Sequence, residues 1–314
     1  MENATVEHLN KLITLLNKII LGKEEVVELV VTTLLAGGHL LLEDQPGVGK
    51  TTLGAALAHV VSGTFSRVQF TADLLPADVV GSRIYRRRDE TFEFVPGPIF
   101  ANFVLADELN RAPPKTQSAL LQAMNEGCVT VDRETIFLPA PFMVIATQNP
   151  RGSQGTYPLP ESQRDRFLMR LSIGYPDAAV EMKILRERRL SDPLKDVEPI
   201  LDAGMLLAAR EEVREIAVPE PIIAYVTRLA EAIRRHEDVN IAVSPRATLG
   251  LMRASQALAY VRGRGMVDFD IVKHLVPPVF AHRLGLRTLD PWLSGEGASP
   301  QWIRRELLER VPVE

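Results

Sequence analysis

One run of seven residues constrains this chain more than any other feature. Pro46-Gly47-Val48-Gly49-Lys50-Thr51-Thr52 follows His39–Glu43 (HLLLE) and precedes a helical stretch from Leu53 to Val60. HLLLE is short, mostly apolar and bounded by breakers, the pattern of a strand buried in a parallel sheet. A glycine-rich turn between such a strand and a helix aims backbone N–H groups at phosphate oxygens, and the helix start adds partial positive charge. At this spacing the Lys50 ammonium reaches β- and γ-phosphates and the Thr51 hydroxyl ligates Mg²⁺. Pro46, Gly47, Val48, Gly49, Lys50, Thr51 and Thr52 are therefore candidate nucleotide-binding residues. A plain glycine turn is the competing reading, and the strand–turn–helix context weighs against it. Asp44 stands where G-x-x-x-x-G-K-[ST] has its first glycine, an acid beside phosphate unless its side chain points outward.

The first half of the chain alternates strand and helix patterns, the signature of a doubly wound α/β fold with a parallel sheet. Leu9, Leu12, Ile13, Leu16, Ile19 and Ile20 predict an amphipathic opening helix, and Glu24–Ala36 a second, stopped by Gly37-Gly38. With HLLLE, the runs Ser66–Phe70, Phe103–Ala106, Phe142–Thr147 and Leu168–Ile173 make five strands, whose ligand crevice lies at their carboxyl ends. Two β-hairpins interrupt the rhythm: Ser82–Tyr85 with Thr91–Val95, and Cys128–Val131 with Thr135–Leu138 around Asp132-Arg133. After Tyr175-Pro176-Asp177 the strands are expected to stop. Helices are expected over Met182–Leu190, Pro219–His236, Ser244–Tyr260 and Phe269–Leu284, with Pro277-Pro278 kinking the last. The expected division is a nucleotide-binding core over 1–177 and an all-α domain over 178–314.

Phe103–Glu108 (FVLADE) is an apolar strand ending in two acids. Asp107 at the strand tip suits the Mg²⁺ shell, and Glu108 suits a general base that orients an attacking water; an acidic helix cap is the alternative. The run Thr147-Gln148-Asn149 offers an uncharged amide, Asn149, for a γ-phosphate or lytic water, although Asn-Pro also starts turns. Arg164 and Arg166 flank Asp165 before the last strand. Arg246 occupies a first helical turn, where a cation opposes the helix dipole, so a triphosphate or simple solvation must account for it.

Charge and composition narrow the field. Thirty-six Lys+Arg against 40 Asp+Glu give a net charge of −4, which argues against a nucleic-acid coat. Arg86-Arg87-Arg88 lacks stacking aromatics around it and reads as a solvated or partner-facing hairpin tip. The single Cys128 excludes an internal disulfide framework and reads as a packing residue, and the six histidines show no ligand spacing. Val26–Leu42, the longest apolar stretch, is broken by Glu28, Gly37, Gly38 and His39, so no membrane span is expected. The first residues lack a signal-peptide pattern, and a cytoplasmic protein is expected.

The runs VQFTADLLPADVVG, FVPGPIFANFVLADELNRAPPKTQSALLQAM, VIATQNP and GTYPLPESQRDRF, in that order, resemble the MoxR family of AAA+ ATPases. The resemblance is near continuous from about Leu40 to Asp177 and looser through SPRATLGLMRASQALA. It implies an AAA+ core with an all-α lid, and ATP/ADP with Mg²⁺ as cofactors. Gly47–Thr52 would be the Walker A loop, Asp107 and Glu108 the Walker B acids, Asn149 sensor 1 and Arg246 sensor 2. Arg166 falls at the arginine finger that reaches a neighbouring subunit, and Ile20-Leu21-Gly22 is similar to the segment that packs on adenine. The hairpins match the helix-2 insert and the pre-sensor-1 hairpin. The resemblance further implies rings, usually hexamers, and chaperone-like action, often with von Willebrand factor A domain proteins. An acid at position 44 is similar to what many members carry. Arg164 stands where leucine is more usual, which makes it a second finger candidate. A nucleotide-gated scaffold with little turnover is the rival reading, favoured only by Asp44; a small-molecule kinase fits less well, because a helical domain follows the sheet.

Overall fold

The computed structural model describes residues 3–148, 156–189, 194, 197–287 and 300–313. Helices α1 (Asn3–Ile19) and α2 (Glu24–Leu35) precede strand β1 (Leu40–Glu43) and helix α3 (Lys50–Val60). Then come β2 (Phe65–Gln69), α4 (Pro76–Val80), the hairpin β3–β4 (Gly81–Arg86, Thr91–Pro96), β5 (Phe103–Asp107) and α5 (Pro114–Glu126). The hairpin β6–β7 (Cys128–Val131, Glu134–Phe137), β8 (Met143–Gln148), α6 (Glu161–Arg164) and β9 (Met169–Leu171) complete the α/β part.

The five long-range strands pair in the order β2-β5-β8-β1-β9, all parallel. Side chains alternate between faces along a strand. Leu40, Leu42, Phe103, Leu105, Met143 and Ile145 join one buried cluster with α1, α2 and α3. Leu41, Val104, Ala106, Val144 and Ala146 join a second with α5. Both faces are covered, which is why these strands read as continuous apolar runs. Since β1 lies inside the sheet, between β8 and β9, and its chain crosses to β2 at the far edge, a crevice opens at the carboxyl ends of the strands. In the β6–β7 turn, Asp132 and Arg133 both take positive φ (47° and 73°), as a two-residue hairpin loop of this twist requires.

Beyond β9 the chain is mainly helical: α7 (Ala178–Arg188), α8 (Ala203–Arg214), α9 (Glu220–Arg235), α10 (Pro245–Val261), α11 (Phe269–Phe280) and the short α12 (Pro300–Ile303). Three features differ from the sequence expectation. A two-stranded antiparallel ribbon, β10 (Val239–Ile241) with β11 (Gly285–Leu286), lies among these helices, so strands do not stop at 177. It is too short to show alternation in sequence. Helix α8 was not anticipated. Helix α11 contains Pro277 and Pro278 but ends at Phe280, short of the expected Leu284, and passes into a 3₁₀ turn at Ala281–Arg283. Packing also crosses position 177: Leu206, Leu251, Leu258 and Ile271 share the cluster of α1, α2 and β1.

Candidate nucleotide-binding site

The loop after β1 owes its shape to two glycines. Gly47 (φ 85°) and Gly49 (φ 96°) occupy the left-handed region, with open space where a Cβ would sit, so the backbone angle alone demands glycine. Gly49 caps α3, and Lys50 opens it. Lys50 is buried, and its Nζ donates to the Asp44 carbonyl at 2.9 Å. Asp44 turns its carboxylate away from the loop. Its oxygens accept from Ser172 Oγ (2.6 Å), the Ile173 amide (2.6 Å) and the Gly174 amide (3.0 Å). The acid in the glycine position therefore fastens the loop to the chain leaving β9.

Beneath the loop lies a cavity of about 540 Å³, lined by Gly47, Lys50, Thr51, Arg67, Asp107 and Glu108 among others. The two acids end β5 and its following residue. Asp107 Oδ1 accepts from the Thr147 hydroxyl at 2.6 Å, and the same hydroxyl oxygen accepts from the Glu108 amide at 2.9 Å. Glu108 holds a left-handed backbone (φ 55°, ψ 46°), a conformation costing ~1–3 kcal/mol that the Thr147 contact supports. Its carboxylate accepts from Gln69 Nε2 at 2.9 Å and pairs with Arg111 at 3.1 Å. Thr51 and Asp107 supply hard oxygen donors on one cavity, the donor set that magnesium takes.

A second cavity of about 400 Å³ shares Gly47, Gly49 and Thr52 with the first and is largely apolar: Ile20, Leu21, Val48, Ile173, Ile184 and Leu185 line it. Two clasps bridge its walls. Lys23 Nζ donates to the Tyr175 carbonyl at 2.9 Å, and the Arg188 guanidinium donates to the Ile19 carbonyl. Gly22 (φ 68°) makes the turn between α1 and α2, and a Cβ there would meet Val180 at 2.8 Å. A flat apolar slot joined to a polar, charged cavity by one glycine loop suits a base and its phosphates.

The three arginines lie elsewhere; none lines either cavity. Leu168 donates to the His39 carbonyl at 2.8 Å, so the segment before β9 sits at the amino ends of the strands, while the glycine loop sits at their carboxyl ends. Arg164 is buried and lies 3.8 Å from Glu161; Arg166 is half-buried. Between them, Asp165 accepts from Arg283 Nε (2.8 Å) and from Ser244 Oγ (3.0 Å), the N-cap of α10. Arg283 also donates to the Phe167 and Leu168 carbonyls (2.6 and 3.1 Å). Burial pushes the Arg283 guanidinium below its ordinary value, and Asp165 works against that. Exposed Arg246, two residues after Ser244, therefore accompanies Arg166 rather than the glycine loop. Asn149 lies outside the described residues.

Residues 39–169 match the ATPase family associated with various cellular activities (AAA), and residues 231–300 match the AAA lid domain. Chaperone MoxR1 of Mycobacterium tuberculosis is 43% identical over 98% of this chain and 83% of its own length. The YeaC protein of Bacillus subtilis is 44% identical over 97% of this chain and 94% of its own. This chain belongs to the MoxR family of AAA+ ATPases. A crystal structure from Cytophaga hutchinsonii, of a protein described as an ATPase, matches the fold of this chain at a TM-score of 0.89. It is 33% identical and covers 98% of this chain and 96% of that one.

Several residues of this MoxR-family site escaped sequence reasoning. Arg67 and Gln69 share one face of β2, and only the β2–β5 pairing, with Gln69 opposite Asp107, brings them to the acids. A charged residue inside a short strand was the available signal. Thr147 had stood in the run that ends at Asn149, yet its hydroxyl is what ties the acid pair together.

Proposed function

We propose that this chain hydrolyses ATP in a Mg²⁺-dependent reaction, as one subunit of a ring, and uses turnover to remodel partner proteins. The observation that carries the reading is the meeting of Lys50, Thr51, Asp107 and Glu108 on one cavity that continues into a base-sized apolar slot. Lys50 would hold the outer phosphates, with Ile20, Leu21 and Gly22 forming the slot's turn. Thr51 and Asp107 would hold magnesium, which would supply positive charge against the developing charge on the phosphates. Glu108 would accept the proton of the attacking water, and Asn149, the residue after Gln148 in sequence, is proposed to orient it.

The site is incomplete within one chain under this reading. Arg166 lies at the opposite edge of the sheet from its own glycine loop, so it would serve a neighbour's nucleotide, and Arg246 beside it would do the same. Burial disfavours Arg164 for that reach, leaving it to pack the segment. The helical region over 178–314 would move against the core over 1–177 during the cycle. The chaperone relative supports protein clients, and von Willebrand factor A domain proteins are the proposed class. No helix among the described residues is long and apolar enough to cross a membrane, and the proposed setting is the cytoplasm.

The scaffold reading drew on Asp44 alone, and that carboxylate points away from the phosphate cavity. A phosphate-release assay with and without Mg²⁺ tests the proposal. Steady release that needs Mg²⁺ and is lost in Lys50→Ala is expected; tight nucleotide binding without steady release would replace it with the scaffold.

A further inference from the structure

The cavity beneath the glycine loop contains a cation that the proposed chemistry does not use. Arg67 Nη2 lies 2.6 Å from Asp107 Oδ2, while Asp107 Oδ1 is taken by the Thr147 hydroxyl at 2.6 Å. Both oxygens of the acid on the metal's side are thus engaged by groups of the chain itself. The Arg67 side chain is 49% exposed, whereas that of Asp107 is 13% exposed, so the guanidinium approaches from the open side of the cavity. Its second contact, Gln69 Oε1 at 3.4 Å, is weak, and no buried packing pins it.

We propose that Arg67 is a resident counter-ion that occupies the metal's side of Asp107 and must be displaced by nucleotide-bound magnesium. Arg67 has this role only with Asp107 as the metal-side acid, as proposed above. The Asp107 carboxylate faces a cavity lined by the glycine loop, and Arg67 reaches it from the adjacent strand. A guanidinium at 2.6 Å and a divalent ion cannot share one oxygen lobe, because their charges repel and their volumes overlap. The exchange is easy to drive: an ion pair whose guanidinium is half-exposed and screened by solvent favours its bound form by a factor of only about two to five. Arg67 therefore sets the magnesium concentration at which the site closes, and keeps Asp107 from recruiting a stray divalent ion before nucleotide arrives.

The test is the binding of a fluorescent ATP analogue, titrated with Mg²⁺, in the full chain and in Arg67→Gln, Arg67→Lys, Arg111→Gln and Asp107→Asn. Arg67→Gln is expected to lower the Mg²⁺ midpoint about two- to fivefold and to leave the affinity in chelator unchanged. Arg67→Lys, which keeps the charge, is expected to return the midpoint toward that of the parent chain. A midpoint unmoved or raised in Arg67→Gln overturns the inference. So does a drop in chelator affinity, which would make Arg67 a phosphate ligand. An equal shift in Arg111→Gln, a cation beside Glu108 instead, would reduce the effect to general charge removal and also overturn it. If Asp107→Asn leaves the Mg²⁺ dependence intact, the metal assignment itself fails and this inference with it; if Asp107→Asn abolishes the dependence while Arg67→Gln is silent, only the inference fails.

Discussion

The two edges of the parallel sheet carry charge in opposite ways. At the carboxyl edge, Arg67 pairs with Asp107 and Gln69 donates to Glu108 around a cavity, and Lys50 on the same cavity donates to the Asp44 carbonyl. At the amino edge, the polar bonds run inward: Asp165 and Arg283 knit the segment before β9 to the 3₁₀ turn after α11 and to the cap of α10. Arg166 and Arg246 are left at the surface of that knot. The difference teaches that one edge is built to receive something small and the other to present something outward. Under the proposed function, the two ends, separated by the length of the strands, would meet on one nucleotide only through a second copy.

The sharpest way to break this comparison is to remove the presented cation. Arg166→Ala is expected to lose turnover by ~10³–10⁵, the usual effect of deleting an arginine that acts across an interface, while nucleotide affinity holds. Phosphate release beside analogue binding reads both, and preserved turnover would leave the amino edge outside the reaction. At the other edge, Glu108→Gln should slow hydrolysis by ~10²–10⁴ and leave ATP trapped, as retention on a desalting column would report.

Acid probes the amino edge directly. His39 is buried, its Nε2 paired with the Met124 carbonyl and its Nδ1 accepting from the Val144 amide, and burial lowers its pKa to about 4. The unfolded chain takes up that proton near pH 6.5 and the folded one does not. Stability therefore falls as pH drops through the window from 6.5 to 4, by about 3 kcal/mol in all. His282, also buried and lowered, adds to the loss with the same sign. Urea unfolding at pH 7 and pH 5 checks this, and equal midpoints would contradict it. The smallest effect concerns the fastening between loop and base slot. Asp44→Asn should raise KM for ATP about tenfold with kcat little changed, since a weakened acceptor lets the 172–174 wall drift. A fall in kcat alone would place Asp44 in the chemistry instead.

What the sequence disclosed follows from how local each feature is. The β1–loop–α3 unit is contiguous, so its glycines, lysine and threonine could be read in place, and apolar runs revealed the sheet because both of its faces are covered. Arg67, Gln69 and Thr147 became site residues only through strand pairing, which joins segments about 40 positions apart. The direction of the Asp44 carboxylate depends on Ser172 and Gly174, about 130 positions away, and no local rule contains it. The β10–β11 ribbon, with a bulge and strands of three and two residues, left no periodicity to detect. The helical side of the base slot, Ile184 and Leu185 on α7, reads in sequence as an ordinary exposed helix and gains its meaning only opposite Ile20.

One mixing experiment addresses the shared site most directly. Lys50→Ala keeps the amino-edge arginines and loses the phosphate lysine; Arg166→Ala keeps the lysine and loses the presented arginine. Each alone should be inactive in phosphate release, and an equimolar mixture should recover turnover, because an intact loop in one copy meets an intact Arg166 in the next. A mixture as inactive as its components, although both variants bind to one another, would contradict a nucleotide held between two chains.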